Sequence, residues 1–92
     1  MRYTWDPEKD ALNRRKHGLS LKDGIPALTD PDADSWIDDR FDYGEERTIT
    51  LGMGIRKVLF VVTTMRSQNN TRLISVRKAA NNEIERYILG RS

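Results

Sequence analysis

KVLFVVTTM, Lys57 to Met65, is the one long apolar run in an otherwise polar chain. As a strand it points Val58, Phe60 and Val62 to one side and Leu59, Val61 and Met65 to the other. A strand apolar on both faces belongs inside a sheet, and its β-branched residues suit that place. The segments on either side therefore read as its sheet neighbours, and the arginines at the strand ends become the functional candidates.

The chain has 92 residues, one third of them charged, and no cysteine. This size predicts a single domain, residues 1–92, with a thin core. Without cysteine there is no disulfide and no thiolate metal site, which fits a reducing compartment. The opening MRYTWDPEKD lacks an apolar leader, and no run approaches membrane-spanning length. The expectation is a cytoplasmic protein with no membrane partner. Residues 1–46 hold seven Lys and Arg against twelve Asp and Glu, whereas residues 47–92 hold nine against two. Such asymmetry fits a polyanion on one surface and a basic partner on another, or two halves that neutralise each other in the fold.

Arg2 to Trp5 reads as a short edge strand. Asp6-Pro7 starts a helix and Gly18 stops it. That helix is barely amphipathic, and Lys9, Asn13, Lys16 and His17 share its polar side. Ser20 is a second cap, and Gly24 and Pro26 predict a broken helix ending by Thr29. Ser35–Asp38 is a strand, Phe41–Glu46 a loop, and Arg47–Leu51 another strand. Gly52-Met53-Gly54 reads as a hairpin loop. After the central strand come a turn at Ser67–Asn70 and a strand at Thr71–Val76. A final helix is expected to be capped by Asn82 with Glu85, to bury Ile84, Tyr87 and Ile88, and to end at Gly90.

Bulge-free hairpins with Leu51 opposite Lys57 and Arg66 opposite Thr71 would divide the sheet into two faces. Ile49, Leu51, Leu59, Val61, Met65, Ile74 and Val76 would form a core face under helices. Thr48, Thr50, Thr64, Ser75, Arg66 and Arg77 would surround Val58, Phe60 and Val62 on a half-polar face suited to a ligand. A one-residue slip in either hairpin reverses part of this.

Several pieces together resemble the BrnT family of type II toxin–antitoxin toxins. They are Trp5-Asp6-Pro7-x-Lys9, Asn13, Lys16-His17-Gly18 and Ser20; Gly44-Glu45-Glu46-Arg47 and Leu51-Gly52; Val61-Val62-Thr63-Thr64-x-Arg66; and Arg72 to Ala79, with Glu83 and Tyr87 beyond. The resemblance implies an α+β, RelE-like fold: N-terminal helices packed on a small, mainly antiparallel β-sheet, with a C-terminal helix. It implies an endoribonuclease that arrests growth by cutting RNA. It also implies a cognate ribbon-helix-helix antitoxin of the BrnA type, with the pair binding and repressing its own promoter DNA. The chain departs from the family pattern at Gly24 and Pro26, and at Ala80, where a Thr-type cap is usual.

The residues themselves narrow the chemistry. There is no two-His metal spacing and no carboxylate cluster with His, which argues against a metal-dependent nuclease. No P-loop or dinucleotide glycine pattern is present, and no cofactor is expected. Metal-free RNA cleavage proceeds by attack of the 2′-hydroxyl on the adjacent phosphate. It needs a base, an acid, and cations on the phosphorane. Arg66 and Arg77 are the leading cations, since the register places both on the polar face; salt-bridged surface arginines are the plainer reading. Arg47 ranks lower, because the same register puts it on the core side. His17, the only histidine, is the candidate base or acid, or else a helix C-cap. Glu45 and Tyr87 are weaker acid–base candidates, and a rim hydroxyl on Tyr87 would reach RNA. Lys16, Lys78 and Asn13 are candidate RNA contacts. Trp5 and Trp36 would stack bases or pack in the core. Two rivals remain: a binding module without catalysis, and an enzyme on small phosphorylated substrates with a deep pocket.

Overall fold

The computed structural model describes residues 2–90. A five-stranded sheet runs in the order β1-β5-β4-β3-β2. Its strands are β1 (Arg2–Thr4), β2 (Asp34–Ile37), β3 (Thr48–Met53), β4 (Val58–Ser67) and β5 (Asn70–Lys78). The helices are α1 (Pro7–His17), α2 (Ile25–Leu28) and α3 (Asn81–Gly90), with a 3₁₀ turn at Leu21–Gly24 ahead of α2. All strand pairs are antiparallel except β1 with β5. The central apolar run is the middle strand, as its two-sided pattern predicts, and Val61 is fully buried.

Local chemistry explains the helices. The Asp6 carboxylate accepts from the Glu8 amide, Pro7 opens α1, and Gly18 ends it with φ 73°, a conformation that favours glycine. The Asp23 carboxylate accepts from both the amide and the hydroxyl of Ser20, which starts the 3₁₀ turn. Pro26 lies in the first turn of α2, where its missing N–H costs nothing. The last helix begins earlier than Asn82 predicts. Glu83 accepts from the Ala80 amide at 2.7 Å, so Glu83 closes the first turn and Ala80 stands at the cap.

The β3–β4 register is the main correction. Leu51 pairs with Phe60 and Met53 with Val58, not Leu51 with Lys57. Gly52 is inside a strand instead of a turn. A Cβ there would stand 2.1 Å from the Ala27 carbonyl oxygen, so glycine lets α2 lie directly on β3. The turn falls at residues 54–57, closed by the Gly54 amide on the Lys57 carbonyl. An odd shift turns β3 over relative to β4. Ile49 and Leu51 therefore pack with Val58, Phe60, Val62 and Tyr87, and with Trp36, Ile74 and Ile84 at the margin. The opposite face holds Leu59, Val61, Leu73 and Val76 under Leu21 and Ala27.

The β4–β5 register over Leu59–Val62 agrees with expectation, with Phe60 opposite Arg77 and Val61 opposite Val76. It then steps between Val62 and Thr63 and again between Met65 and Ser67, leaving Ile74 and Arg66 outside the pairs. The first step moves Ile74 to the Phe60 side.

Asn13 is buried and serves the scaffold. Its side-chain amide donates to the Val76 carbonyl at 2.9 Å and accepts from the Val76 amide at 3.0 Å, with a second donation to Leu19. It thus replaces a neighbouring strand where β1 has already ended. Asn13→Ala would orphan both groups of Val76 and is expected to cost about 2–6 kcal/mol, at roughly 1–3 for each unsatisfied buried group. Urea unfolding measures this, and an unchanged midpoint would remove Asn13 from the edge-sealing role.

Candidate active site

Phe60 lies at the centre of one sheet face, 5% exposed and flanked by two guanidinium groups. The Arg77 group lies 3.8 Å from the ring centroid and the Arg40 group 5.4 Å. Strand alternation puts Arg77 on this face. Its two terminal nitrogens donate to the two Glu83 oxygens, each at 2.9 Å. This bidentate grip fixes the fork and its stack on Phe60 together. It also holds the Glu83 carboxyl below its ordinary pKa, against the opposing effect of burial. Glu83 therefore begins α3 and aims Arg77 at once.

The loop between β2 and β3 borders the same face. Asp38 is buried, and its carboxylate accepts from Arg40 at 2.8 and 2.9 Å and from the Tyr43 hydroxyl at 3.0 Å. The hydrogen bonds from Arg40 push the Asp38 carboxyl far below the usual carboxylate range, and Asp38 raises Arg40 in turn. Further along, Arg47 donates to Glu45 at 3.0 Å and lies over the Tyr43 ring at 4.1 Å. Arg66 reaches the other Glu45 oxygen at 3.9 Å, with its side chain half exposed. Arg47 is thereby brought beside Arg66, and the core-side placement expected for it is corrected. The cause is the odd register shift that turned β3 over. The Thr64 hydroxyl donates to the Glu46 carbonyl, tying the loop to β4.

His17 ends α1 and borders a shallow cleft with Lys9, Lys16, Ile74 and Ser75. Partial burial lowers its pKa, and the charges of Lys16 and Arg77 lower it further. Ile74, which packs on the Phe60 side of the sheet, lines the same cleft, so His17 lies at the edge of that face. Lys16 is exposed on the same cleft. Lys78 is exposed too, but alternation along β5 points it away from Arg77, and it pairs with Leu59. Two candidates for RNA contact are committed elsewhere. Asn13 seals the β5 edge, and Tyr87 is 2% exposed with its hydroxyl donating to Asp30. Tyr87 thus packs, as its place on the apolar stripe predicts, and Asp30 takes the hydroxyl that would otherwise reach RNA. The tryptophans pack: Trp5 lies against the Val61 cluster, and Trp36 lies against the Phe60 cluster beneath the Arg86 guanidinium.

The family model described as ribonuclease toxin, BrnT, of type II toxin–antitoxin system matches residues 5–83. This chain belongs to the BrnT family. A crystal structure of the Brucella abortus ribonuclease toxin BrnT shares the fold, with a TM-score of 0.65 and 21% sequence identity. The alignment covers 88% of this chain and 99% of that one. A search of curated proteins returned no match.

In this BrnT-family chain, Phe60 and Glu83 contact Arg77, Tyr43 contacts Arg47, and Asp38 holds Arg40 over Phe60; of these, Asp38, Arg40 and Tyr43 had no role in the sequence pattern. The alternation Asp38-x-Arg40 was a local signal for one pair. Phe60 meets Arg77 across paired strands, where the expected register puts it, and Glu83 lies only six residues beyond Arg77. Among the described residues, no group of three or more His, Asp or Glu gathers in metal-binding geometry. No described helix is long and apolar enough to cross a membrane.

Proposed function

We propose that this protein is a cytoplasmic, metal-independent endoribonuclease toxin with a RelE-like arrangement of helices and sheet. The observation that carries the reading is the set of arginines on one sheet face, two of them held by hydrogen-bonded carboxylates. Arg77 is gripped by Glu83, and Arg47 and Arg66 share Glu45. Preorganised guanidinium groups suit a phosphorane, because the charge they stabilise grows only in the transition state. In this reading a base removes the 2′-hydroxyl proton and the 2′-oxygen attacks phosphorus. The bond to the 5′-oxygen then breaks, and an acid returns a proton to that oxygen. A 2′,3′-cyclic phosphate remains. His17, with its lowered pKa, is neutral at pH 7 and fits the base. Glu45 is the second candidate, and Lys16 a phosphate contact beside His17.

The partner is proposed to be a ribbon-helix-helix antitoxin of the BrnA type, with the complex repressing its own promoter. The excess of acidic residues in the first half of the chain fits a basic partner surface.

The test is cleavage of single-stranded RNA by the purified protein in excess EDTA. The expected result is undiminished cutting with cyclic phosphate ends, and copurification with a co-expressed antitoxin. Cutting that stops in EDTA and returns with a divalent metal would overturn the metal-free mechanism. RNA binding without any cutting would favour a non-catalytic module.

A further inference from the structure

The loop from Asp38 to Arg47 carries an aromatic residue that no packing need explains. Phe41 is 69% exposed. Its loop is nevertheless pre-shaped. The Asp38 amide donates to the Arg47 carbonyl at 2.8 Å and closes the base. The buried Asp38 carboxylate holds Arg40 and Tyr43 from inside. The Thr64 hydroxyl anchors the far end through Glu46.

Within this frame the Phe41 ring meets Tyr43 edge-on, with centroids 5.8 Å apart and planes at 73°. Tyr43 is already covered on a face by Arg47. The aromatic pair is therefore braced from the protein side, and most of the Phe41 ring faces solvent. Arg40 directly precedes the ring and Asp42 follows it; Arg40 is paired to Asp38 yet half exposed, and Arg47 closes the loop, where Arg66 joins it through Glu45. A braced, exposed ring beside fixed arginines is the combination that binds single-stranded nucleic acid. The ring takes a base and the guanidinium groups take phosphates. An aromatic ring also loses little rotamer freedom on binding, so its contact surface comes at small entropic cost.

We propose that Phe41 is a stacking platform for one nucleobase of a single-stranded RNA, placed beside the phosphate-binding arginines. This rests on the ribonuclease reading above. Stacking is tolerant of base identity, so Phe41 sets where the strand lies and how tightly, not which base is chosen.

The test uses a single-stranded RNA oligonucleotide with 2′-fluoro in place of every 2′-hydroxyl, so that binding is read without cleavage. 2-Aminopurine is placed at each position in turn. Phe41→Ala and Phe41→Leu are expected to weaken binding about ten-fold or more and to abolish the quenching of one 2-aminopurine position. Phe41→Trp should restore both. With the cleavable RNA, Phe41→Ala should raise KM far more than it lowers kcat. All three variants should melt with the wild type, because the side chain is largely exposed. Equal affinity of Phe41→Ala and wild type overturns the proposal, as does Phe41→Leu binding as well as Phe41→Trp. Loss of affinity for an antitoxin with RNA binding untouched also overturns it, in favour of a protein contact. The two readings fail separately. A wild type that binds the oligonucleotide through Phe41 but cuts no RNA rejects the nuclease alone, and a wild type that cuts RNA with Phe41→Ala at full affinity rejects the platform alone. A wild type that neither binds nor cuts rejects both.

Discussion

Arg77→Ala is expected to lower the RNA cleavage rate by about 10²–10³, the usual cost of removing one preorganised donor from a developing oxyanion. The guanidinium is held in place before substrate arrives, by two bonds to Glu83 and by its stack on Phe60. That preorganisation makes its loss large. Arg77→Ala also removes a packing partner of Phe60 and leaves Glu83 with the Ala80 amide as a remaining partner. Some loss of melting temperature should accompany it. Arg77→Lys separates the two effects. It retains charge and stem but not the planar fork, so it should recover stability better than rate. Arg66→Ala is expected to cost comparable activity with little change in stability, because that side chain is half exposed and its nearest carboxylate oxygen, at 3.9 Å, is beyond hydrogen-bond distance. Single-turnover cleavage and thermal melting on the same preparations decide the matter. A folded Arg77→Ala protein with full activity, or one that still arrests growth, would reject the site.

Val61→Asp should yield no soluble folded protein. Val61 is fully buried at the centre of β4, between Thr50 on β3 and Val76 on β5. Its face is closed by Leu21, Ala27, Leu59, Leu73 and Val76, which bring no cation to a carboxylate. An unpaired charge there costs several kcal/mol even after it neutralises by taking up a proton. The whole stability of a domain this size is only about 5–15 kcal/mol. Circular dichroism of the soluble fraction after expression is the measurement. A variant that melts like the wild type would show that β4 is not the central strand.

Interactions between residues near in sequence were legible directly. Asp6, Pro7 and Gly18 bound α1 because caps act within a few residues and depend little on the rest of the chain. Gly24 and Pro26 broke the second helix for the same reason. The two-sided apolar run placed β4 at the middle of the sheet, because only a strand covered on both faces tolerates such a pattern. Residue types narrowed the chemistry as well, since permanently charged arginines and a single histidine near neutrality leave few mechanisms open.

Only the tertiary structure decided what depends on contacts distant in sequence. Gly52 reads as a turn glycine until α2 is seen lying on it. Moving the turn by a few residues reverses β3, which carries Ile49 and Leu51 into the Phe60 cluster and Arg47 to the side of Arg66. A strand pattern has period two, so one misread glycine inverts a whole face. Asn13 looks like a surface polar group on its helix and is buried because its partner, Val76, lies 63 residues away; Tyr87 packs as the apolar stripe predicts, but the partner of its hydroxyl, Asp30, lies 57 residues away. The sequence by itself determined the local elements, the central strand and the inventory of charges. Long-range packing decided which of those charges stand together.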